Sequence, residues 1–205
     1  YLGAKSQCPS ATMEVQYTNS WADMSGEAEV AAKLIDDGCV LISQHADTTG
    51  APSTCEDKKV PCVGYNVDMT TVAPDAALTS PTNNWGVYYT HAVQCVLDGT
   101  AIETDWCQGF AEGAVDITPI NEAVAAEGTD AKVTEVENAI KDGSLHVFDT
   151  SKFTVNGSSL EDLIAEGGDY AKYADYVSDG YYHESELASA PSFDIIIDGI
   201  TSVTN

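Results

Sequence analysis

Residues 39–66, with the sequence CVLISQHADTTGAPSTCEDKKVPCVGYN, decide the fold of this chain. The apolar run 39–43 is typical of a strand that is buried on both faces of a parallel sheet. A short helix is predicted around 51–58, and another strand at 61–65. Because parallel neighbours need a crossover connection, the stretch predicts a βαβ unit with a right-handed crossover.

The same alternation of strands and helices extends to both sides of this unit. Residues 13–18 alternate apolar and polar side chains, as a half-buried strand does. Residues 27–37 place their apolar side chains on one helical face before Gly38, and a further strand is predicted at 76–80. This order predicts an α/β fold in which these strands form one parallel sheet flanked by helices.

The clearest predicted helix is 83–97, which Gly99 closes. Its apolar face is broad and aromatic, so we expect it to pack against something large. His91 is predicted to pack within this helix rather than to react. The residues that recur at helical spacing are Trp85, Tyr88, Tyr89, Ala92, Val93, Val96 and Leu97.

Beyond this helix the pattern is less regular. Residues 106–117 resemble a strand, and 193–197 are predicted as a possible final strand. Between them we expect a helix that ends before Gly143. Ser158 and Glu161 resemble a capping box that would start another helix.

Composition excludes several classes of partner. The chain has 205 residues, with 33 Asp and Glu against 8 Lys and no arginine, and a formal net charge of −25. A nucleic-acid-binding protein needs clustered Lys and Arg, so nucleic acid is not expected as a partner. The acids are spread along the chain and predict a solvated surface around one ordinary core.

No apolar run predicts a membrane span, and residues 1–5 do not resemble a signal peptide, so we expect a soluble chain.

Six cysteines show neither a C-x-x-C pair nor the spacing of metal ligands. Cys39 and Cys95 fall within apolar periodic segments, so we expect most of the six to be reduced and buried. Cys55 and Cys62 flank a short polar turn and are the pair most open to a disulfide.

Polar residues follow each predicted strand of the sheet. In an open parallel sheet, ligands bind beyond the carboxyl ends of the strands. An indole, several amides and two carboxylates at this edge could stack a flat ring and hydrogen-bond its edges. The alternative is that strand ends are loops, and loops are polar in any case. The residues concerned are Asn19, Ser20 and Trp21, then 44–48 (QHADT), then Asn66 and Asp68, and finally Thr82 and Asn83.

Catalytic signatures are weak. The chain has no G-x-S-x-G elbow, no H-E-x-x-H, no Walker loop and no G-x-G-x-x-G. His45 and Asp47 could bind a metal or act as acid and base, which keeps open a sugar-cleaving or metal-dependent hydrolase. A module of one lobe that dimerises through helix 83–97 is a second alternative. We expect a binding protein with no catalytic residue, cofactor or metal.

An ordered series of motifs resembles the second half of the basic membrane protein (Bmp) family, the substrate-binding lipoproteins of ABC importers for purine nucleosides and related bases. The resemblance extends over about 1–120 and thins from about 124. The motifs are 15–23 (VQYTNSWAD), 34–38 (LIDDG), 42–48 (ISQHADT), 64–69 (GYNVDM), 73–75 (APD), 78–80 (LTS), 84–89 (NWGVYY) and 96–99 (VLDG).

The resemblance implies a type I periplasmic-binding-protein fold, in which two Rossmann-like lobes close on a ligand. It identifies 1–120 as the C-terminal ligand-binding lobe and 121–205 as an extension of that lobe. Helix 83–97 would pack on a first lobe that is missing from this sequence, or would pair two copies. The complete protein would be extracytoplasmic, lipid-anchored to the membrane and a partner of ABC permease subunits.

The resemblance also assigns roles to single residues. Trp21 resembles the aromatic residue that stacks on the purine ring. Asn66 stands where the family usually has an Asp for the ribose hydroxyls, Asn83 where many members have Lys, and Asp47 where several have Gly. Two Asn residues keep donors and acceptors without charge, so we expect base recognition to dominate over sugar recognition. Asp68 is the remaining candidate ligand-binding residue.

Overall fold

A computed structural model describes residues 1–187 and 192–203 of the chain. The helices are α1 (Leu2–Gln7), α2 (Met24–Asp36), α3 (Gly50–Lys58), α4 (Trp85–Asp98), α5 (Thr129–Lys141) and α6 (Leu160–Glu166). The strands are β1 (Met13–Val15), β2 (Ile42–Ser43), β3 (Cys62–Val63), β4 (Ala77–Thr79), β5 (Pro81–Asn83), β6 (Val115–Ile117), β7 (Val177–Ser178), β8 (Tyr181–Tyr182) and β9 (Ile200–Ser202).

The predicted βαβ unit is confirmed, but the prediction that the whole run 39–43 is a buried strand is wrong: only Ile42–Ser43 is a strand, and Val40 is 81% exposed. Strands β2, β3 and β4 form a parallel sheet in that order, with Ile42 opposite Cys62 and α3 as the connection between β2 and β3. Helices α2 and α3 pack against each other and against this sheet. The core between them consists mostly of small residues, which allow close approach: Ala31, Ile42, Ala51, Cys55, Cys62, Met69, Ala73, Ala76 and Ala77.

The prediction that residues 13–18 belong to the same sheet is wrong. Strand β1 pairs in parallel with β9, with Met13 opposite Ile200, and it forms a separate two-stranded sheet. An alternating pattern shows that a strand has one buried face, but it does not specify which strand lies beside it. The partner comes from the other end of the chain.

Two other strand predictions need correction. Within 106–117 only Val115–Ile117 is a strand, and it pairs antiparallel with β5. Residues 193–197 form no strand, although Ile195 and Ile197 are buried. Asp194 instead accepts hydrogen bonds from Lys172 and Tyr173, so side-chain contacts hold this segment.

A second hydrophobic cluster lies outside the βαβ unit. Aromatic rings dominate it, and Tyr182 stacks on Tyr176 with ring centroids 5.4 Å apart. Tyr1 and Leu2 pack against this cluster, so both ends of the chain contribute to it. Its buried members are Phe153, Val155, Leu160, Tyr173, Tyr182, Ile195 and Ile197.

Helix α6 begins one residue later than the predicted capping box. Its N-cap is Ser159, whose hydroxyl accepts a hydrogen bond from the backbone N–H of Asp162. Ser158 belongs to the preceding turn, where its N–H donates to the carbonyl of Val155. Glu161 accepts a hydrogen bond from Thr150 and so bonds outside its own helix.

The predicted aromatic helix is confirmed as α4, and it ends at Gly99 in the left-handed conformation. One face of α4 carries five exposed large apolar side chains, which we call the apolar stripe: Trp85, Tyr89, Val93, Val96 and Leu97. Among residues 1–187 and 192–203, none of the helices has the length and hydropathy required to cross a bilayer.

All six cysteines are thiols in the structure, and three of them, Cys55, Cys62 and Cys95, are buried. Cys39 is half-buried, and Cys8 and Cys107 are exposed, so the expectation that most of the six are buried is wrong. The hydrogen bond with Cys62, together with burial, raises the pKa of Cys55. Cys55 and Cys62, the pair predicted to be most open to a disulfide, are therefore both buried free thiols.

Candidate functional site

The candidate site, which we call the rim, consists of the loops after β1, β2 and β3 together with strand β5. The prediction that Asn83 lies in a loop after a strand is wrong, because Asn83 is the last residue of β5. The loops after β1 and β2 meet where the N–H of Asp47 donates to the carbonyl of Trp21 at 2.8 Å. The loop after β3 meets β5 where the N–H of Asn66 donates to the carbonyl of Pro81 at 2.8 Å, and Thr82 Oγ1 donates to the carbonyl of Asn66 at 2.9 Å. The rim thus brings Trp21 beside Asp47 and Asn66 beside the strand that holds Asn83.

The indole of Trp21 is available to a ligand because it is 72% exposed. Asp47, Asn66 and Asp68 are also exposed, and Asn83 is half-buried. An exposed aromatic ring among carboxylates and amides can stack a heterocycle and hydrogen-bond its edge. The rim is an open surface, so a ligand on it would need a second surface to exclude water.

Glu27 holds the two loops beside Trp21 together. Its side chain is buried, at 4% exposure. One carboxylate oxygen accepts a hydrogen bond from the N–H of Asp23 at 3.1 Å, and the other accepts from Thr48 Oγ1 at 2.5 Å. The Thr48 hydroxyl in turn accepts from the N–H of Gly50 at 3.1 Å, at the start of α3. A charged hydrogen-bond acceptor therefore fixes the position of both loops.

Sequence reasoning missed Glu27. An acidic residue in the first turn of a helix is ordinary, because it complements the helix dipole, and it is usually exposed. The pairing with Thr48 spans 21 residues and joins two different loops. Only an Asp N-cap at Asp23, which accepts from the N–H of Gly26 at 3.0 Å, gave a local signal for the helix start.

Gln44 holds the shape of the loop after β2. Its side-chain amide donates to the carbonyls of Ala46 at 3.2 Å and Thr48 at 3.0 Å. The ring of the adjacent His45 packs on Tyr65, with centroids 4.4 Å apart. These contacts give Gln44 and His45 structural roles next to Asp47.

The structure does not support a metal centre built on His45 and Asp47. Within the described part of the chain, the group of His, Cys, Asp and Glu side chains close enough to share a metal ion is His91, Cys95 and Glu103. His45 is engaged with Tyr65. Acid and base chemistry at His45 also needs a partner within hydrogen-bond reach.

Asp68 and Asn66 have structural roles in addition to the predicted ones. Asp68 caps a short 3₁₀ turn (Met69–Thr71), accepting from the N–H of Thr70 at 2.9 Å and from its hydroxyl at 2.7 Å. The Thr70 hydroxyl lowers the pKa of Asp68. Asn66 has a φ of 69°, the left-handed region that Asn tolerates better than most residues. Both residues therefore shape the loop after β3.

Comparison with known proteins places these observations in a family. The family described as "ABC transporter substrate-binding protein PnrA-like" matches residues 1–149. The chain is 36% identical over 147 residues to a purine-binding protein of Brucella abortus, which covers 72% of this chain and 41% of that protein. It is 31% identical over 165 residues to a putative ABC transporter glucose-binding protein of Haloferax volcanii, which covers 80% of this chain and 41% of that protein. The chain thus spans about two fifths of the length of these relatives.

Solved structures show the same fold at lower sequence identity. An ABC transporter solute-binding protein from Conexibacter woesei superposes with a TM-score of 0.54 at 22% identity, over 70% of this chain and 49% of that one. A transcriptional activator of the comK gene from Bacillus halodurans also superposes with a TM-score of 0.54, at 16% identity, over 63% of this chain and 46% of that one. At these identities the likeness concerns the fold alone.

Proposed function

Because the chain belongs to the PnrA-like family of ABC transporter substrate-binding proteins, we propose that its rim is half of a binding site for a purine base or nucleoside. The family is a transport family rather than an enzyme family, and its members are extracytoplasmic. Delivery of the ligand to an ABC permease and a lipid anchor on the complete protein are parts of the same proposal.

The observation that carries the proposal is the exposed indole of Trp21, whose backbone carbonyl accepts a hydrogen bond from the N–H of Asp47. A flat heterocycle stacked on the indole would gain apolar burial and an aromatic contact. Stacking on an aromatic side chain contributes about 1–3 kcal/mol per base in single-stranded nucleic-acid complexes. The Asp47 carboxylate would accept hydrogen bonds from N–H groups at the edge of a purine. Glu27 supports the arrangement by fixing both loops.

Asn66 and Asn83 would set the preference between base and sugar. Their amides can donate and accept but carry no charge. A ribose hydroxyl pair gains most from a charged acceptor, since hydrogen bonds to charged groups are worth about 1.5–3 kcal/mol against about 1 for neutral ones. We therefore propose that bases bind at least as well as their nucleosides.

The opposite wall of the site would come from a second lobe. The apolar stripe of α4 supports this, because it follows β5 directly and exposes Trp85 at 58% and Leu97 at 74%. Contiguous apolar patches of this kind usually mark interaction sites. In the complete protein we propose that the first lobe covers the stripe, and that closure of the two lobes excludes water. Alone, this chain would bind its ligand weakly and could pair through the stripe.

Two-dimensional NMR tests the proposal, since it detects weak binding residue by residue. We expect adenine, hypoxanthine or adenosine to shift the indole N–H of Trp21 and the amides of Asp47 and Asn66. Trp21→Ala should abolish these shifts. Trp85→Ala is the matched control, because Trp85 is also an exposed tryptophan but lies on the apolar stripe.

Glucose at the same concentration separates the proposal from sugar binding. Shifts at the rim with glucose and none with purines would contradict purine recognition. Purine shifts that persist in Trp21→Ala would contradict the stacking role of the indole.

A further inference from the structure

A second group of polar side chains lies on α4, away from the rim. His91 Nε2 is 2.6 Å from Glu103 Oε2, and Cys95 Sγ is 3.6 Å from the same nitrogen. The imidazole nitrogen, the sulfur and the carboxylate oxygen all lie within 4.8 Å of one another. A thiol, an imidazole and a carboxylate are the three ligand types that zinc prefers in proteins.

The local sequence explains how the three residues meet. His91 and Cys95 are four residues apart on α4, so they share one face of the helix. Gly99 ends the helix with a φ of 68°, and the N–H of Thr100 returns to the carbonyl of Cys95 at 2.9 Å. This turn reverses the chain and brings Glu103 back over the last turns of α4. The arrangement is therefore a helix-and-turn unit, not a chance contact of side chains from distant segments.

Aromatic packing fixes the group on one side. The ring of Trp106 stacks on His91 with centroids 6.3 Å apart and an interplanar angle of 25°. Tyr88 contacts the same indole at 5.1 Å. Cys95 is 8% exposed, whereas Glu103 is exposed. The sulfur is therefore shielded, and an ion could enter from the carboxylate side.

We propose that His91, Cys95 and Glu103 bind one divalent transition-metal ion of the zinc class, with water as the fourth ligand. Zinc holds sulfur at about 2.3 Å and nitrogen or oxygen at about 2.0–2.2 Å, which places tetrahedral ligand atoms about 3.3–3.8 Å apart. The separation of Cys95 Sγ and His91 Nε2 already fits this range. The His91–Glu103 hydrogen bond would have to lengthen by less than about 1 Å.

Charge favours a cation at this position. The chain carries a formal charge of −25, which raises the local concentration of cations. The ordinary alternative is a half-exposed His–Glu ion pair, which contributes little to the stability of the fold. The sulfur of Cys95 beside the same nitrogen adds a third ligand type that a simple His–Glu pair lacks.

The site is independent of the proposed function. At about 100° per residue, His91 and Cys95 lie on the side of α4 opposite to Tyr89 and Val93 of the apolar stripe. A partner that covers the stripe would leave the metal site accessible. The inference therefore stands whether or not the rim binds purines.

Cobalt is the probe for the test, because a thiolate bound to Co²⁺ gives a charge-transfer absorption that oxygen ligands do not. We expect the reduced 205-residue chain to bind one Co²⁺ with this absorption in excess Ca²⁺, which occupies the carboxylates of the surface. Zinc should displace the cobalt and bleach the band. Cys95→Ser should remove the absorption.

Affinity for Zn²⁺, measured by competition with a chromophoric chelator, should fall at least about 100-fold in Glu103→Gln and His91→Gln. Mutation of a residue that only hydrogen-bonds to a metal ligand already lowers metal affinity about 10–100-fold. Glu103 is exposed, so Glu103→Gln tests the site without disturbing the core. Cys39→Ser and His146→Gln are the matched controls, and neither residue belongs to the group.

Three outcomes would overturn the proposal. They are cobalt binding without thiolate absorption, retention of full zinc affinity in Glu103→Gln, and a loss in the two controls equal to that in the ligand variants. Circular dichroism of each variant separates loss of the site from loss of the fold.

Discussion

Glu27 shows how one buried carboxylate can hold two loops of the rim together. It is buried in the first turn of α2 and accepts hydrogen bonds from the two loops beside Trp21. Without the carboxylate, the Thr48 hydroxyl and the Asp23 N–H would lose their partner. The relative position of these two loops therefore depends on Glu27.

We predict that Glu27→Ala lowers the free energy of unfolding by about 2–3 kcal/mol. Two part-buried hydrogen bonds to a charged group are lost, and their donors are left without that acceptor. Glu29→Ala on the same helix is exposed and should change stability by no more than about 0.5 kcal/mol. Urea unfolding followed by circular dichroism measures the free energy of unfolding of each variant. Equal losses in the two variants would contradict the role of Glu27 in holding the two loops together.

For the residues of the rim, the sequence predicted some properties and the structure showed others. The sequence predicted that Trp21, Asp47, Asn66, Asp68 and Asn83 follow strands. It did not show that Asp68 caps a turn or that Asn66 adopts a left-handed backbone. Those roles depend on backbone geometry that a residue type permits but does not require.

Among the elements, α4 shows the clearest difference between its two sides. One side carries the apolar stripe, and the other carries His91 and Cys95 with Trp106 against them. The periodicity of the sequence predicted the helix and its broad apolar face. It did not separate the part of that face that is covered in this chain from the part that is exposed.

We predict that Leu97→Lys reduces self-association of the chain and its binding of a hydrophobic dye. Leu97 is 74% exposed, so a charge there is tolerated by the fold but disfavoured in an apolar interface. Gln94→Lys is the matched control, because it adds the same charge on the exposed surface beside the stripe. Sedimentation velocity measures the association, and an equal effect of both variants would show that charge alone is responsible.

For the strands too, the sequence predicted some features correctly and others wrongly. The βαβ order was correctly predicted, because parallel strands and their crossover are close in sequence. The extent of the first strand was not, since only Ile42–Ser43 of the run 39–43 is a strand. Strand β1 was assigned to the wrong sheet, since its partner β9 lies almost 190 residues away. Local pattern gives the type of an element far better than its partner.

For the molecule as a whole, charge is the dominant property. With 33 acids and 8 lysines, most carboxylates have no cationic partner. Several instead accept from hydroxyls and backbone N–H groups, as Asp198 does from Thr154 at 2.5 Å and from Gly157 at 2.8 Å. The Thr154 hydroxyl lowers the pKa of Asp198. The remaining like charges repel one another in the folded state.

We therefore predict that sodium chloride stabilises the chain. Raising the concentration from about 0.05 M to about 1 M shortens the screening length to about 3 Å and weakens the repulsion. A gain of about 1 kcal/mol would raise the melting temperature by about 2–4 °C for a chain of this size. Calorimetry measures the shift, and sucrose at equal osmolality is the control. A melting temperature that is flat or falls with salt would contradict the prediction.

The sequence by itself determined the α/β class, the βαβ unit, the aromatic helix and the family, because each rests on local periodicity or on short ordered motifs. Only the tertiary structure decided the partner of β1, the bracing by Glu27 and the meeting of His91, Cys95 and Glu103. The physical reason is the range of the interactions. Helix and strand preferences act between neighbours in the chain, whereas the pairing of β1 with β9 and of Glu27 with Thr48 joins separate segments. The meeting of Glu103 with His91 depends on the turn that reverses the chain after α4.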